Sequence, residues 1–161
     1  MEKTVEKLDT TFNEKSYDLK LSANWEKLIN NTDGSKKKVV MLNVNYTGSK
    51  IDIETRLEKL KNVLKRVERY KNIVLWFRLH PLNEESMQSS TPSYIYNFYI
   101  SIITEYKHAG WGIYDDTNNF DRAVHYCDAY YGDKDSIIDL FQQQGKPVVI
   151  QSTGITSKKE H

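Results

Sequence analysis

The sequence predicts an α/β domain built on a mostly parallel sheet of about five strands, with helices on both faces. Three observations carry that expectation. Short apolar runs rich in β-branched residues recur along the chain, as strands buried on both faces require. Amphipathic segments with helical spacing stand between those runs, and the connections are short, so that neighbouring strands are joined by crossovers and run parallel.

The elements follow in order. Met1 to Lys37 has mixed charge and little sustained periodicity, with one short helix near Ala23 to Asn30 that includes Trp25, Leu28 and Ile29. Asn31-Thr32-Asp33-Gly34-Ser35 is a turn that closes this segment. Lys38 to Asn45 carries Val39, Val40, Met41, Leu42 and Val44 and reads as the first strand. Ile51 to Tyr70 places Ile53, Leu57, Leu60, Leu64 and Val67 at alternating steps of four and three, an amphipathic helix. Asn72 to Leu79, with Ile73-Val74-Leu75-Trp76-Phe77, is the second strand, and Pro81 lies just past its end, where a missing amide hydrogen costs the ladder nothing.

Thr91-Pro92 reads as a cap followed by proline at the first helical position, and Ile95, Tyr99, Ile102, Ile103 and Tyr106 supply the buried face of that helix. Ile113-Tyr114 is a short third strand, Asp115-Asp116-Thr117 a cap, Asn118 to Tyr126 a short helix and Asp128 to Tyr131 a fourth strand. A tight polar turn, Gly132 to Ser136, leads into a helix beginning Ile137-Ile138-Asp139-Leu140-Phe141. Gly145 stops that helix, Pro147 turns the chain, and Val148-Val149-Ile150 forms the last strand. The expected organisation is an N-terminal extension over 1–37, one Rossmann-like domain over 38–151 and a flexible tail over 152–161.

Composition narrows the function classes. A chain of 161 residues holds one ordinary domain, and its formal net charge of +1 gives no field suited to nucleic acid or an anionic membrane surface. Cys127 is the only cysteine, which excludes an internal disulfide framework and a cysteine-based zinc site. Met1 to Leu19 contains no apolar leader-like run, and no later stretch approaches the roughly 20 apolar residues a membrane helix needs, so a soluble, cytoplasmic protein is expected.

In a parallel sheet the loops at the carboxyl ends of the strands crowd one edge, where open α/β sheets bind phosphorylated ligands. Here those loops hold Asn43, Asn45, Tyr46 and Thr47 after the first strand, and Arg78 and His80 after the second. Asp115 and Asp116 follow the third strand, and Asp133, Asp135 and Ser136 the fourth. Several have a plainer reading: His80 caps a strand end, Arg78 is solvated or salt-bridged, Asp133 closes a turn on its own backbone, and Ser136 is an ordinary N-cap. Asp115 and Asp116 either pair in acid/base or magnesium chemistry or, as neighbours in a strand, point apart, with Asp116 or Thr117 capping a helix. The first loop lacks a Gly-x-Gly-x-x-Gly fingerprint, which argues against a nicotinamide cofactor. His108, His125 and His161 have no partner at metal-ligand spacing, and neither cofactor nor metal is expected.

Three blocks, taken together, resemble a known family: Leu75-Trp76-Phe77-Arg78-Leu79-His80-Pro81-Leu82, Gly110-Trp111-Gly112-Ile113-Tyr114-Asp115-Asp116-Thr117, and Asp128-Ala129-Tyr130-Tyr131-Gly132-Asp133 with Ser136 and Gly145-Lys146-Pro147-Val148. They are similar to the carboxyl-terminal half of CDP-glycerol glycerophosphotransferase-like proteins, relatives of the enzymes that build teichoic acid polymers. The resemblance runs from about Lys7 onward. It implies one half of a GT-B-type glycosyltransferase, the half that binds a nucleotide-linked donor such as CDP-glycerol, with a separate or missing N-terminal half supplying the acceptor site. It further implies a place at the inner face of the membrane through a partner.

By that resemblance His80 and Arg78 lie by the donor pyrophosphate, Ser136 and Asp133 belong to the phosphate-holding turn, and Asn43 and Thr47 line the pocket. The chain departs from the family pattern at Lys134 and at Asp135, which replaces the first serine of the turn. An aspartate at a helix start satisfies the amides itself and repels a competing phosphate. Two functions therefore stand side by side. One is a donor-nucleotide-binding domain, inactive in transfer on its own. The other is a non-catalytic Rossmann-like interaction module that has lost donor binding and associates with a partner protein or with a second copy through an apolar face.

Overall fold

Residues 19–45, 53–79 and 83–151 are described by a computed structural model of the chain. Five strands alternate with six helices among these residues: α1 (Ala23–Ile29), β1 (Lys38–Val44), α2 (Ile53–Glu68), β2 (Ile73–Leu79), α3 (Asn83–Ser90), α4 (Ser93–Ala109), β3 (Ile113–Asp115), α5 (Phe120–Tyr126), β4 (Ala129–Gly132), α6 (Ile137–Gln143) and β5 (Val148–Ile150). All five strands are parallel and lie in the order β3-β2-β1-β4-β5. The chain thus builds outward from β1 through β2 to β3, then returns to the other side of β1 for β4 and β5. Helices cover both faces, giving the three-layer Rossmann-like arrangement expected from the alternation.

The two faces follow from the period of two along each strand. Val39 and Met41 of β1, Val74 and Trp76 of β2, Ile113 of β3 and Tyr130 of β4 point to one side, where they meet Ile29, Ala123, Val124, Ile137 and Phe141 from α1, α5 and α6. Leu42, Val44, Leu75 and Phe77 point to the other and meet Leu57, Leu60 and Leu64 of α2 and Tyr99, Ile102 and Tyr106 of α4. Each fully buried side chain of this size, Leu57 and Phe77 among them, contributes about 1.5–3 kcal/mol of burial free energy before entropy is counted.

Local chemistry sets several boundaries. Ser22 caps α1 by accepting from the Trp25 amide at 3.2 Å. Gly110, at φ 73°, ends α4 in the left-handed conformation. α5 begins at Phe120, two residues later than expected, because Asn119 accepts from the Arg122 amide at 3.0 Å and takes the cap position. Pro92 precedes α4 instead of occupying its first turn, and Thr91 gives its hydroxyl to the Met87 carbonyl at the end of α3. Helix α3 itself was not anticipated: its sequence, NEESMQSS, shows no apolar period, and it is held through Met87, which is 2% exposed.

The described part of the N-terminal extension belongs to the core. Leu21 and Ile29 are buried, and the Trp25 ring meets the edge of Trp76 at 5.2 Å between centroids. No helix among the described residues is long and apolar enough to cross a membrane.

Candidate functional site

The return of the chain across β1 sets the site. At the height of Asn43 the register places Gly132 on β4, Arg78 on β2 and Asp115 on β3 side by side, one polar row across four strands at their carboxyl ends. Asn43, Arg78 and Asp115 continue the face that holds Met41, Trp76 and Ile113, so the apolar layer under α5 and α6 ends in buried polar groups. Above them lies an open cleft of about 1340 Å³, mouth included, between the starts of α5 and α6. Asn43 and Arg78 line it from the sheet, Phe120 and Asp121 from α5, and Asp135 and Ser136 from the turn before α6.

Arg78 is only 2% exposed and donates through Nη1 to Asp115 Oδ2 at 2.9 Å. Asp115 is fully buried and answers several donors: Trp76 Nε1 at 2.9 Å, the Thr117 amide at 2.9 Å and the Thr117 hydroxyl at 2.6 Å. Arg122 stands 3.8 Å away, and its guanidinium also covers the Trp25 ring at 4.9 Å. Such saturation is what a carboxylate needs to remain in the interior, since a buried charge without partners costs several kcal/mol. Asp116 points to solvent, so the two neighbouring aspartates do not act together. The guanidinium of Arg78 lies 4.5 Å from the centroid of Phe120, a ring still 42% exposed at the cleft wall.

The turn between β4 and α6 is fixed by side chains. Asn43 uses its amide Nδ2 for Tyr130 Oη at 3.1 Å and Asp135 Oδ2 at 3.2 Å. Tyr130 in turn donates to the Asp133 carbonyl. Burial pushes the Tyr130 hydroxyl well above the usual phenol range, against the opposing effect of the Asn43 hydrogen bond. Asp135 Oδ1 accepts from the Ile137 amide at 3.1 Å, so the aspartate, not Ser136, satisfies the helix start. Ser136 makes no capping bond; its hydroxyl reaches Asp135 Oδ1 at 3.4 Å.

Of the residues singled out from sequence, Asn43, Arg78 and Ser136 are brought to one cleft. Asp133 lies beside that cleft and acts as a tie: Oδ2 accepts from the Asn45 amide at 2.7 Å and from Arg56 at 3.0 Å, and Oδ1 accepts from Gln151 Nε2 at 2.8 Å. One carboxylate thereby joins the ends of β1 and β5 to α2. His80 and Thr47 lie outside the described residues. Phe120, Asp121 and Asp139 line the cleft without having been singled out. The two aspartates each sit in a helix's first turn, where acidic residues are expected from the helix dipole alone, and Phe120 is a single aromatic at the start of α5, so the sequence offered no separate signal.

Two further titratable groups lie at the far end of α5. Cys127 is buried, which pushes its thiol well above the usual range, with Lys146 as a smaller opposing influence. Lys146 donates to the Val124 carbonyl at 2.5 Å and the His125 carbonyl at 3.2 Å, and burial lowers its ammonium pKa. Among the described residues no group of three or more His, Cys, Asp or Glu is placed to hold a metal ion. Compared with family models, curated proteins and solved structures, the chain finds no match.

Proposed function

We propose that this domain is the donor-binding half of a glycerophosphotransferase-like or glycosyltransferase-like protein, taking a nucleotide-diphosphate-linked donor such as CDP-glycerol in the cleft above Asn43 and Arg78. The observation that carries this reading is the position of Arg78, a buried guanidinium on the floor of a cleft at the carboxyl edge of a parallel sheet, next to the point where strand order reverses. Arginine there supplies charge-assisted hydrogen bonds to phosphoryl oxygens, and its ion pair with Asp115 fixes it before a ligand arrives. The domain's part in catalysis is positioning and charge neutralisation on the leaving nucleotide, while the acceptor is presented by a second half.

Calorimetric titration with CDP, UDP and CDP-glycerol tests this. Saturable binding is expected, weakened about ten-fold in Arg78→Lys, which keeps the charge but loses the planar fork, with little turnover by the domain alone. A folded sample that binds none of the three would overturn the reading.

A second reading is favoured by Asp135. Both of its oxygens are occupied, one by the Ile137 amide and one by Asn43, so the turn is closed on itself where a phosphate would sit. Under that reading the domain is a non-catalytic interaction module, and absence of nucleotide binding is its expected result.

A further inference from the structure

We infer that the end of the domain opposite the cleft is a docking surface for an anionic membrane. The formal charge of +1 is an average over the whole chain, and the basic residues are not spread evenly. The loop into β1 carries Lys36 and Lys37, with Lys38 as the first residue of the strand, and the end of α2 with the loop into β2 carries Lys65, Arg66, Arg69 and Lys71. Parallel pairing sets these two segments side by side: Lys38 stands opposite Ile73, and its amide donates to the Asn72 carbonyl at 2.9 Å. Lys37 is half-buried and the other cations are exposed, and among the described residues none of them enters an ion pair. Asp33 and Glu68 are the acids of these segments, and Asp33 is turned onto Ser35, accepting from its amide at 2.9 Å and its hydroxyl at 2.7 Å. Lys65 and Arg66 are what the carboxyl end of a helix attracts through its dipole, but Lys36, Lys37, Lys38 and Lys71 belong to no helix. Every connection at this end, 30–37, 69–72, 110–112, 127–128 and 144–147, lies among the described residues, whereas the undescribed 46–52 and 80–82 follow the carboxyl ends of β1 and β2.

What lies beside the charges favours a bilayer over a polyanion in solution. Tyr70, between Arg69 and Lys71, is 56% exposed. From Lys65 onward the surface continues into a groove of about 430 Å³, mouth included, between the carboxyl ends of α2 and α4. Leu64, Ile102 and Ala109 line it, with half-buried Trp111 from the connection to β3. Its own charges balance, Lys61 and Lys65 against Glu68 and Glu105, so the groove offers apolar surface while the field comes from the loops beside it. A phosphate backbone has no use for an apolar groove, whereas tyrosine and tryptophan next to lysine and arginine are the side chains that settle at lipid headgroups. A basic cluster of this size holds peripheral segments on anionic leaflets. The cleft above Asn43 and Arg78 opens at the other end of the seven-residue β1, about 20 Å away, so a bilayer at the amino ends of the strands leaves it free, whatever it binds.

The test is co-sedimentation of the full chain with phosphatidylcholine vesicles and with vesicles of phosphatidylcholine and phosphatidylglycerol in equal parts. Binding is expected to the mixed vesicles alone and weakens as salt is raised. It should fall on the order of ten-fold in Arg69→Glu and about three-fold in Tyr70→Ala, both exposed positions whose variants keep the urea midpoint of the wild type. Lys134→Glu makes the same change in net charge in the turn beside the cleft and should stay within about two-fold of the wild type. Equal binding to both kinds of vesicle, binding to neither, or an equal loss in Lys134→Glu and Arg69→Glu overturns the inference. Displacement of the bound chain by polyuridylate at equal phosphate concentration overturns it in favour of nucleic acid.

Discussion

Asn43 and Gly132 face each other across the β1–β4 pair so closely that a Cβ on Gly132 would stand 2.1 Å from the Asn43 carbonyl oxygen. This contact lies where the strand order reverses, and the Asp133 amide donates to the same carbonyl at 2.9 Å. Gly132→Ala is therefore expected to lose about 3 kcal/mol or more, because the obstacle is backbone of a central strand and cannot swing aside. Urea unfolding of the variant measures it; a loss below about 1 kcal/mol would mean that β1 and β4 separate easily.

Asp133 ties three elements through Asn45, Arg56 and Gln151. Its carboxylate is partly accessible, with 13% side-chain exposure, so the pair with Arg56 is screened and most of the effect comes from the backbone amide of Asn45 and the amide of Gln151. Asp133→Ala should cost about 2 kcal/mol, a Tm decrease of roughly 4–8 °C by calorimetry. Asp133→Asn should recover part of this, and an Asn variant as damaged as Ala would show that charge, not hydrogen bonding, holds the tie.

The buried pair of Arg78 and Asp115 should be asymmetric. Arg78→Met leaves Asp115 with Trp76, Thr117 and Arg122 around it, whereas Asp115→Ala strands the guanidinium, the indole N–H and the Thr117 amide together. Breaking a buried pair costs about 3–5 kcal/mol, and the expectation is the low end for Arg78→Met and the high end for Asp115→Ala. Equilibrium denaturation of both variants gives the order directly, and the reverse order would contradict the hydrogen-bond assignment.

Alkaline pH should destabilise the fold. Burial raises the folded-state pKa of Cys127, Tyr106 and Tyr130, so above the unfolded thiol and phenol values of about 8.5 and 10 the unfolded chain releases protons that the folded chain retains. Their stabilisation is complete below about pH 8 and declines as pH rises beyond that range. Lys146 works in the opposite sense, since its folded pKa is lowered, but it is one partly exposed group against three. The urea midpoint should fall between pH 8 and 10.5, less steeply in Cys127→Ala; a flat profile would show that these groups ionise without unfolding.

The strands and the long helices were legible because burial on two faces writes itself into sequence: β1 and β2 are nearly continuous apolar runs, and Leu57, Leu60 and Leu64 repeat at the helical period. Helix α3 was not, because a polar segment with the single anchor Met87 carries no period to read. At the site, Asn43, Arg78 and Ser136 could be placed together because parallel strands bring their carboxyl ends to one edge. What could not be read was allegiance. The bond of Asp135 to the Ile137 amide was legible from an aspartate at a helix start, but its bond to Asn43, the pairing of Asp115 with Trp76 and Arg78, and the tie of Asp133 to Arg56 depend on distances between residues far apart in the chain.

The seat of α1 bears on how the domain can be cut. Trp25 touches both Trp76, which lies in β2 two residues before Arg78, and Arg122, which approaches Asp115. A fragment beginning at Lys38 would keep every strand and every residue lining the cleft, yet it would open the indole of Trp76 to water and free Arg122 from the ring that holds it. The working boundary of the domain therefore lies upstream of Leu21, and the cleft floor is propped from a helix that contributes nothing to the sheet.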